Sequence, residues 1–255
     1  MRIEPESPAL YYLRVGSEEM PLNEVVGHPL HIRFTGQIFC VVCGRKTAKA
    51  FGQGFCFPCF RDSPENAPCI LHPELCRGHL GEGRDVAWEK ENHVQPHIVY
   101  LAWSSGLKVG VTRETQIPVR WLDQGAILAR PVARTPYRYL AGLLEVAFKS
   151  HIADKTDWRR MLLTTEPLTK DPLQLDVRSW TPDDLKDYLL DSMPTYKFTY
   201  PWTPNFSRLV PLDLKKISIA EGRLLGMKGQ YLAFSDGRVL NVRNHSGYEV
   251  EVHYG

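Results

Sequence analysis

The clearest hydrophobic patterns of the chain predict β-strands at both ends and in the middle. Apolar and polar residues alternate over residues 30–34 and again over 248–254, which is the spacing of a strand with one buried face. A continuous apolar run at 97–103 is followed by a Ser-Ser-Gly turn and by a second strand-like segment at 107–112. These consecutive segments predict a β-hairpin at the centre of the chain.

Other segments carry helix signals. Residues 120–124 indicate a short helix, and residues 137–152 have apolar positions at helical spacing. Thr181 and Pro182 precede two acidic residues, an order that favours a helix start, so we expect a helix from there to about residue 193. Helices and strands together predict an α+β fold.

The changes in pattern divide the chain into four parts. We expect an N-terminal β element (1–39), a cysteine-rich zinc-binding region (40–95), a central α+β domain (96–195) and a C-terminal β unit (196–255). The last part contains a hairpin pattern over 230–242 with an Asp-Gly turn. It forms either a small barrel or a sheet that pairs with the N-terminal strands.

Composition and charge exclude several classes of protein. No apolar run approaches the roughly 20 residues that a membrane-spanning helix needs, and the N-terminus lacks the apolar segment of a secretory signal. We therefore predict a cytoplasmic protein with no membrane partner. The net charge of +2 implies that binding of nucleic acid would need a local basic patch.

Residues 108–166 provide such a patch, with ten basic residues against six acidic ones and with aromatic residues between them. This mixture suits phosphate contacts combined with base stacking. Arg113, Trp121 and Arg159 are our candidate nucleic-acid contacts. A solvated helix face over an aromatic core is the alternative interpretation.

All six cysteines lie between positions 40 and 76. Cys40 and Cys43 form one Cys-x2-Cys pair, and Cys56 and Cys59 form another after twelve residues, a spacing typical of a structural zinc site. Four unligated cysteines or a redox dithiol are the alternatives. We expect no helix start beside either pair, which disfavours the redox alternative. A set of four thiolates leaves no open coordination position, so the predicted zinc ion is structural.

A second group has ligand types at short spacing. Cys69, His72, Cys76 and His79 predict a second zinc site, with two free cysteines and two surface histidines as the alternative. If filled, this site would stabilise the start of the central domain.

The central segment resembles the GIY-YIG nuclease domain in the order of its motifs. The matching features are Val99-Tyr100, the string from Lys108 to Thr112, Arg120-Trp121 and a later helix that carries Glu145. The resemblance implies that Tyr100 lies near the attacking water, that Arg120 holds the scissile phosphate and that Glu145 binds Mg²⁺. Lys108 occupies the place of the family's second tyrosine and is included in the candidate catalytic set.

Some residues depart from that family. Ile98 stands where the family has glycine, and no asparagine follows Glu145 nearby, Asp157 being the nearest substitute. We therefore keep two functions open. The first is a zinc-stabilised protein that binds DNA or RNA, with Mg²⁺-dependent phosphodiester cleavage. The second is a non-catalytic module that binds a protein or ribonucleoprotein partner.

Longer strings resemble an uncharacterised bacterial family, domain of unknown function 2797. They lie at residues 108–113, 120–126, 226–232 and 244–248, so this resemblance spans most of the chain. It implies a cysteine-rich N-terminal part and no established activity.

Overall fold

The computed structural model describes residues 1–152, 156–163, 171–203, 206 and 208–255. The strands are β1 (Arg2–Glu4), β2 (Leu10–Val15), β3 (Glu18–Pro21), β4 (Pro29–Phe39), β5 (Lys46–Thr47), β6 (His97–Trp103), β7 (Leu107–Arg113), β8 (Leu128–Thr135), β9 (Tyr196–Lys197), β10 (Val210–Leu212), β11 (Ile219–Lys228), β12 (Tyr231–Phe234), β13 (Arg238–Asn241) and β14 (Tyr248–Tyr254). The α-helices are α1 (Phe57–Asp62), α2 (Val86–His93), α3 (Val119–Asp123), α4 (Arg138–Lys149) and α5 (Trp158–Leu163). Several 3₁₀ turns lie between them. The mixture of sheets and short helices is the predicted α+β class.

The chain divides into two compact units. Unit 1 contains residues 1–61 and 198–255, and unit 2 contains residues 62–197. The predicted cysteine-rich region is therefore divided, because its first four cysteines belong to unit 1 and its last two to unit 2. No helix in the described ranges is both long and apolar enough to cross a bilayer.

Unit 1 is built mainly from strands contributed by both ends of the chain. Its larger sheet has the order β10-β13-β12-β11-β4-β14, with β5 beside β4, and β1, β2 and β3 form a separate antiparallel sheet. Strand β4 pairs antiparallel with both β11 and β14. Leu30 and Ile32 of β4 are buried, in agreement with the alternation in the sequence. Of the two predicted arrangements, the structure shows the sheet that joins the N-terminal and C-terminal strands.

Unit 2 is centred on an antiparallel sheet with the order β7-β6-β8-β9. The predicted hairpin is confirmed as β6 and β7, whose register pairs His97 with Arg113 and Trp103 with Leu107. Strand β6 lies between β7 and β8, which explains why its sequence is a continuous apolar run rather than an alternating one. Helix α4 contributes buried apolar side chains to the same core; these are Ala141, Leu144 and Phe148, which cluster with Val99, Leu101 and Val109 of the sheet.

The prediction of a helix that runs to about residue 193 is wrong. The structure has a single 3₁₀ helix at Asp183–Tyr188, and the chain beyond it is extended. Leu189 forms an antiparallel bridge with Ala133 of β8. Pairing with the sheet therefore replaces the second half of the expected helix, a case of tertiary contacts overriding a good local start signal.

Candidate metal centre and the Tyr100 cluster

The first four cysteines lie in two tight turns of unit 1. Cys40 follows β4, and its carbonyl accepts a hydrogen bond of 2.9 Å from the N–H of Gly44, whose positive φ of 69° closes the turn. Cys56 follows a short bridge between Phe51 and Phe55. The two turns are joined by a hydrogen bond of 2.9 Å from the N–H of Val41 to the carbonyl of Gly54. Glycine thus provides the reversals that bring the pairs together.

The geometry of these cysteines fits a zinc ion. The four Sγ atoms of Cys40, Cys43, Cys56 and Cys59 all lie within 4.8 Å of one another. The Sγ atoms of Cys43 and Cys56 are 3.7 Å apart. A tetrahedral site with Zn–S bonds of about 2.3 Å requires sulfur atoms about 3.8 Å apart. The four cysteines are free thiols, not disulfides. This cluster can therefore hold zinc, as the sequence predicted.

The backbone favours a thiolate at this cluster. Burial opposes ionisation of Cys40, but the backbone N–H groups of Cys43, Cys56 and Val42 donate to its sulfur and lower the pKa to about 6. A lowered pKa eases loss of the proton that metal binding requires.

One expectation about this region is wrong. Helix α1 begins at Phe57, directly after Cys56, so a helix does start beside the second pair. The sulfur geometry nevertheless disfavours a redox dithiol. A dithiol needs two neighbouring sulfurs, whereas four sulfurs surround one point here.

The second predicted ligand set is not the one that the structure assembles. Cys69 and Cys76 do lie together, but the groups that join them are Glu89 and His93. The predicted ligand His72 is exposed and lies 3.3 Å from a carboxylate oxygen of Glu74.

The other predicted ligand, His79, also lies outside the group. Its ring stacks between those of Tyr137 and Tyr139, at centroid distances of 4.7 and 5.0 Å. The two histidines therefore have other contacts, and the cysteines have other neighbours.

A sequence signal for Glu89 and His93 did exist. They are four residues apart in α2, a spacing that places two side chains on one face of a helix. Asp85 caps this helix by accepting a hydrogen bond of 3.0 Å from the N–H of Trp88. We missed the pair because glutamate and histidine at this spacing also form ordinary surface ion pairs.

In unit 2 the side chains of Gln124 and Lys108 and the backbone of Gly110 lie around the hydroxyl of Tyr100. Tyr100 is fully buried, and its hydroxyl donates to Oε1 of Gln124 at 3.1 Å. Lys108 is also buried, and its Nζ donates to the same Gln124 oxygen and to Oγ1 of Thr156 at 2.9 Å. Gly110 lies opposite Tyr100 in the sheet, where a Cβ would come within 2.6 Å of the hydroxyl. Only glycine leaves room for the tyrosine at this position. We call Tyr100, Lys108, Arg120, Gln124 and Glu145 the Tyr100 cluster.

The charges of Arg120 and Glu145 both act on Tyr100. Burial raises the pKa of Tyr100, while the guanidinium of Arg120 and the hydrogen bond to Gln124 act to lower it and the carboxylate of Glu145 raises it further. Arg120 lies on α3 and is partly exposed. The three residues named by the resemblance therefore form one electrostatic group.

Glu145 occupies a largely dry position on α4. Burial raises its pKa, which the ammonium group of Lys149 opposes from 3.3 Å. Asp157, the substitute for the missing asparagine, accepts hydrogen bonds from the backbone N–H groups of Arg159 and Arg160 and so caps α5. Its carboxylate has a local structural role.

The three candidate nucleic-acid contacts have different environments. Trp121 is fully buried, with its ring 5.8 Å from that of Tyr100, so its assignment as a base-stacking residue is wrong. Arg113 is partly exposed and donates to Asn92. Arg159 is exposed, and its guanidinium lies over the ring of Trp158 at 4.2 Å. Three charged positions of the predicted basic segment, Asp154, Lys155 and Glu166, lie outside the described residues.

The fold and these sites define an α+β protein with a cysteine cluster that can hold zinc. The model of the family described as "Protein of unknown function (DUF2797)" matches residues 27–250, and the chain belongs to that family. No curated protein matches the chain, and no solved structure matches it. The family resemblance in the sequence is confirmed, and the resemblance to GIY-YIG nucleases stays a prediction.

Proposed function

We propose that this chain is a zinc-stabilised protein that binds nucleic acid, DNA or RNA, through unit 2, and that the Tyr100 cluster is a divergent GIY-YIG-like site for phosphodiester cleavage. The observation that carries the proposal is that the charges of Arg120 and Glu145 both act on the buried hydroxyl of Tyr100. The three residues come from a strand and two helices that are separated in sequence.

The topology of unit 2 supports this proposal. Tyr100 lies on the central strand of the β7-β6-β8 sheet, opposite Gly110 on the neighbouring strand of the hairpin. Arg120 lies on the helix after the hairpin, and Glu145 lies on the helix after β8. This is the order of motifs on which the resemblance was based.

The chemistry of the three groups suits a phosphodiester. The partly exposed guanidinium of Arg120 can bind phosphate oxygens in a bidentate manner and stabilise charge that develops on them. The hydroxyl of Tyr100 can orient the attacking water once it exchanges its bond with Gln124. Both roles use side chains that belong to unit 2.

In this proposal one carboxylate of the cluster is available for a magnesium ion. Glu145 would hold it, since Mg²⁺ often binds one or two protein carboxylates and completes its shell with water and substrate phosphate. Lys149, whose side chain is one-quarter exposed, would move aside toward solvent. When bound, the ion would stabilise negative charge on the phosphate.

Zinc would have a structural role in this protein. The cluster of Cys40, Cys43, Cys56 and Cys59 uses all four positions of a tetrahedral ion, which leaves none for substrate. Metal binding would hold together the two turns that carry the cysteines.

A non-catalytic binding module is the second candidate, and two observations favour it. The hydroxyl of Tyr100 is fully buried, and Lys108 replaces a tyrosine and bonds to Gln124. In this alternative the same fold binds a protein or ribonucleoprotein partner without chemistry.

A panel of nucleic acids separates the two candidates. Purified zinc-loaded protein is incubated with single- and double-stranded DNA and RNA, and binding and cleavage are scored with and without Mg²⁺ or Mn²⁺. Glu145→Gln tests the carboxylate, and Glu114→Gln is the control because it removes an exposed carboxylate of the same unit that pairs with Arg134.

Cleavage that requires metal and is lost only in Glu145→Gln supports the first candidate. Binding without cleavage supports recognition alone and overturns the catalytic role. Absence of binding to every nucleic acid overturns the proposal and favours a protein partner.

A further inference from the structure

We infer that unit 2 contains a second structural zinc site, formed by Cys69, Cys76, Glu89 and His93. Their ligand atoms all lie within 4.8 Å of one another. Two thiolates, one imidazole and one carboxylate are all established zinc ligands. The site is separate from the Tyr100 cluster, and its test is independent of the proposed function.

The distances from the imidazole to the two thiols fit one central ion. Nδ1 of His93 lies 3.5 Å from Sγ of Cys76 and 3.9 Å from Sγ of Cys69. Zn–N bonds of about 2.1 Å and Zn–S bonds of about 2.3 Å at the tetrahedral angle place nitrogen and sulfur about 3.6 Å apart. Both thiols therefore lie at the separation from the imidazole that a shared ion would impose.

Burial makes these groups costly without a metal. Cys69, Cys76, Glu89 and His93 are each less than one-tenth exposed. Oε2 of Glu89 contacts Nδ1 of His93, so the carboxylate and the imidazole face each other at one buried point. A buried carboxylate carries a large desolvation cost, which a cation would offset.

The surrounding segment has little apolar core to hold it together. Its buried apolar cluster consists of Ala67 and the two cysteines, with Ile70 and Tyr139 packed against it. Leu71 and Leu75, which flank the turn between the cysteines, are 79% and 57% exposed. Because this segment exposes its leucines and buries its cysteines, hydrophobic packing contributes little to its stability. Metal ligation supplies the stabilisation instead.

Arg138 provides the balancing charge and the outer support of the site. Two thiolates and a carboxylate exceed the charge of Zn²⁺ by one negative charge. The guanidinium of Arg138 interacts electrostatically with both cysteines and donates at 2.9 Å to the carbonyls of Cys69 and Ile70. Partners of this kind, which orient the ligands from outside, are a regular feature of metal sites.

The site is closed and therefore structural. Four protein ligands fill a tetrahedral ion, and the ligands are shielded from water. Its position gives it a specific task. The turn at Pro73–Leu75 packs directly on α4 at Gly142, one turn before Glu145. Zinc here would fix the cysteine-bearing loop against the helix that carries the candidate carboxylate.

The first test is zinc content together with X-ray absorption of the wild-type protein. We expect two zinc ions per chain. The two ligand sets contribute six sulfurs and two nitrogen or oxygen atoms, so the average zinc would have three sulfur neighbours and one lighter neighbour. One zinc per chain with four sulfur neighbours would overturn the inference. This measurement needs no variant.

Variants identify the ligands. His93→Ala should reduce the zinc content from two ions to one, while His72→Ala, an exposed histidine of the same segment, should keep both. Loss of one zinc in His72→Ala with retention in His93→Ala would refute the ligand set. A Cys69–Cys76 disulfide detected by mass spectrometry would also refute the site, because it would leave no thiolates for the ion.

Discussion

Substitution of Gly142 by alanine tests how closely the cysteine-bearing loop packs on α4. An alanine in the interior of a helix is normally about 1 kcal/mol more favourable than glycine. At Gly142, however, an added Cβ would lie 2.2 Å from the backbone nitrogen of Glu74 and 2.4 Å from the carbonyl carbon of Pro73. Ordinary contacts begin at 3.4 Å, so the loop or the helix has to retreat by about 1 Å.

The energy cost of this backbone displacement determines whether Gly142→Ala stabilises or destabilises the protein. The obstructing atoms belong to the backbone, which cannot rotate away as a flexible side chain can. Overpacking of this kind costs roughly 1–3 kcal/mol. After the gain of about 1 kcal/mol in helix propensity is subtracted, we expect Gly142→Ala to lower the free energy of unfolding by up to about 2 kcal/mol.

Urea unfolding followed by circular dichroism measures this change as a lower midpoint with an unchanged slope. Val146→Ala on the same helix is the control, because Val146 is 46% exposed and alanine is the better helix former. It should be neutral or slightly stabilising. A Gly142→Ala protein that is more stable than wild type would refute the packing argument.

Three further predictions follow from other parts of the chain. Burial lowers the pKa of His97 to about 4, below its unfolded value of 6.5, so protonation favours the unfolded chain. The contribution of neutral His97 to the free energy of unfolding is therefore fully present above pH 6.5. It falls by up to roughly 3 kcal/mol as the pH drops toward 4. The wild type should show this slope in unfolding experiments, and His97→Asn should show less of it. Gly247→Ala should destabilise unit 1 by about 1–3 kcal/mol in urea unfolding, since φ is 82° and a Cβ would lie 2.1 Å from the carbonyl oxygen of Phe39; equal stability would contradict the geometry. Cys59→Ser should reduce the zinc content measured by mass spectrometry by one ion, and unchanged content would exclude Cys59 as a ligand.

The elements with strong local signals were predictable. The central hairpin is an apolar run, a turn and a second strand, and these three signals follow one another directly in the sequence. The four-cysteine cluster was predictable for the same reason, because its spacing alone brings the pairs within reach of one ion.

The predictions that failed concern residues whose conformation or burial is determined by contacts with residues distant in the sequence. The segment that contains Leu189 follows a good helix start signal, but its pairing with Ala133 makes it extended. Trp121 is indistinguishable in sequence from an exposed stacking platform, but the fold buries it, with the rings of Tyr100 and Tyr196 among its neighbours.

The group of Cys69, Cys76, Glu89 and His93 shows the same limit more clearly. Cys69 and Cys76 have histidines at close spacing, but the histidine that reaches them lies on α2, 17 residues beyond Cys76. Local spacing favoured His72 and His79, and the fold brought in His93 and Glu89. Ligands from a separate helix cannot be assigned before the path of the chain is known.

The most direct test of nucleic-acid binding through unit 2 is fluorescence anisotropy with a labelled oligonucleotide over a range of salt concentrations. Arg120→Gln is compared with Arg33→Gln, which removes an equal charge from an exposed ion pair in unit 1. We predict that Arg120→Gln alone weakens binding and reduces the salt slope by about 1, the signature of one lost phosphate contact. Equal binding and equal slopes for wild type and Arg120→Gln would contradict the account.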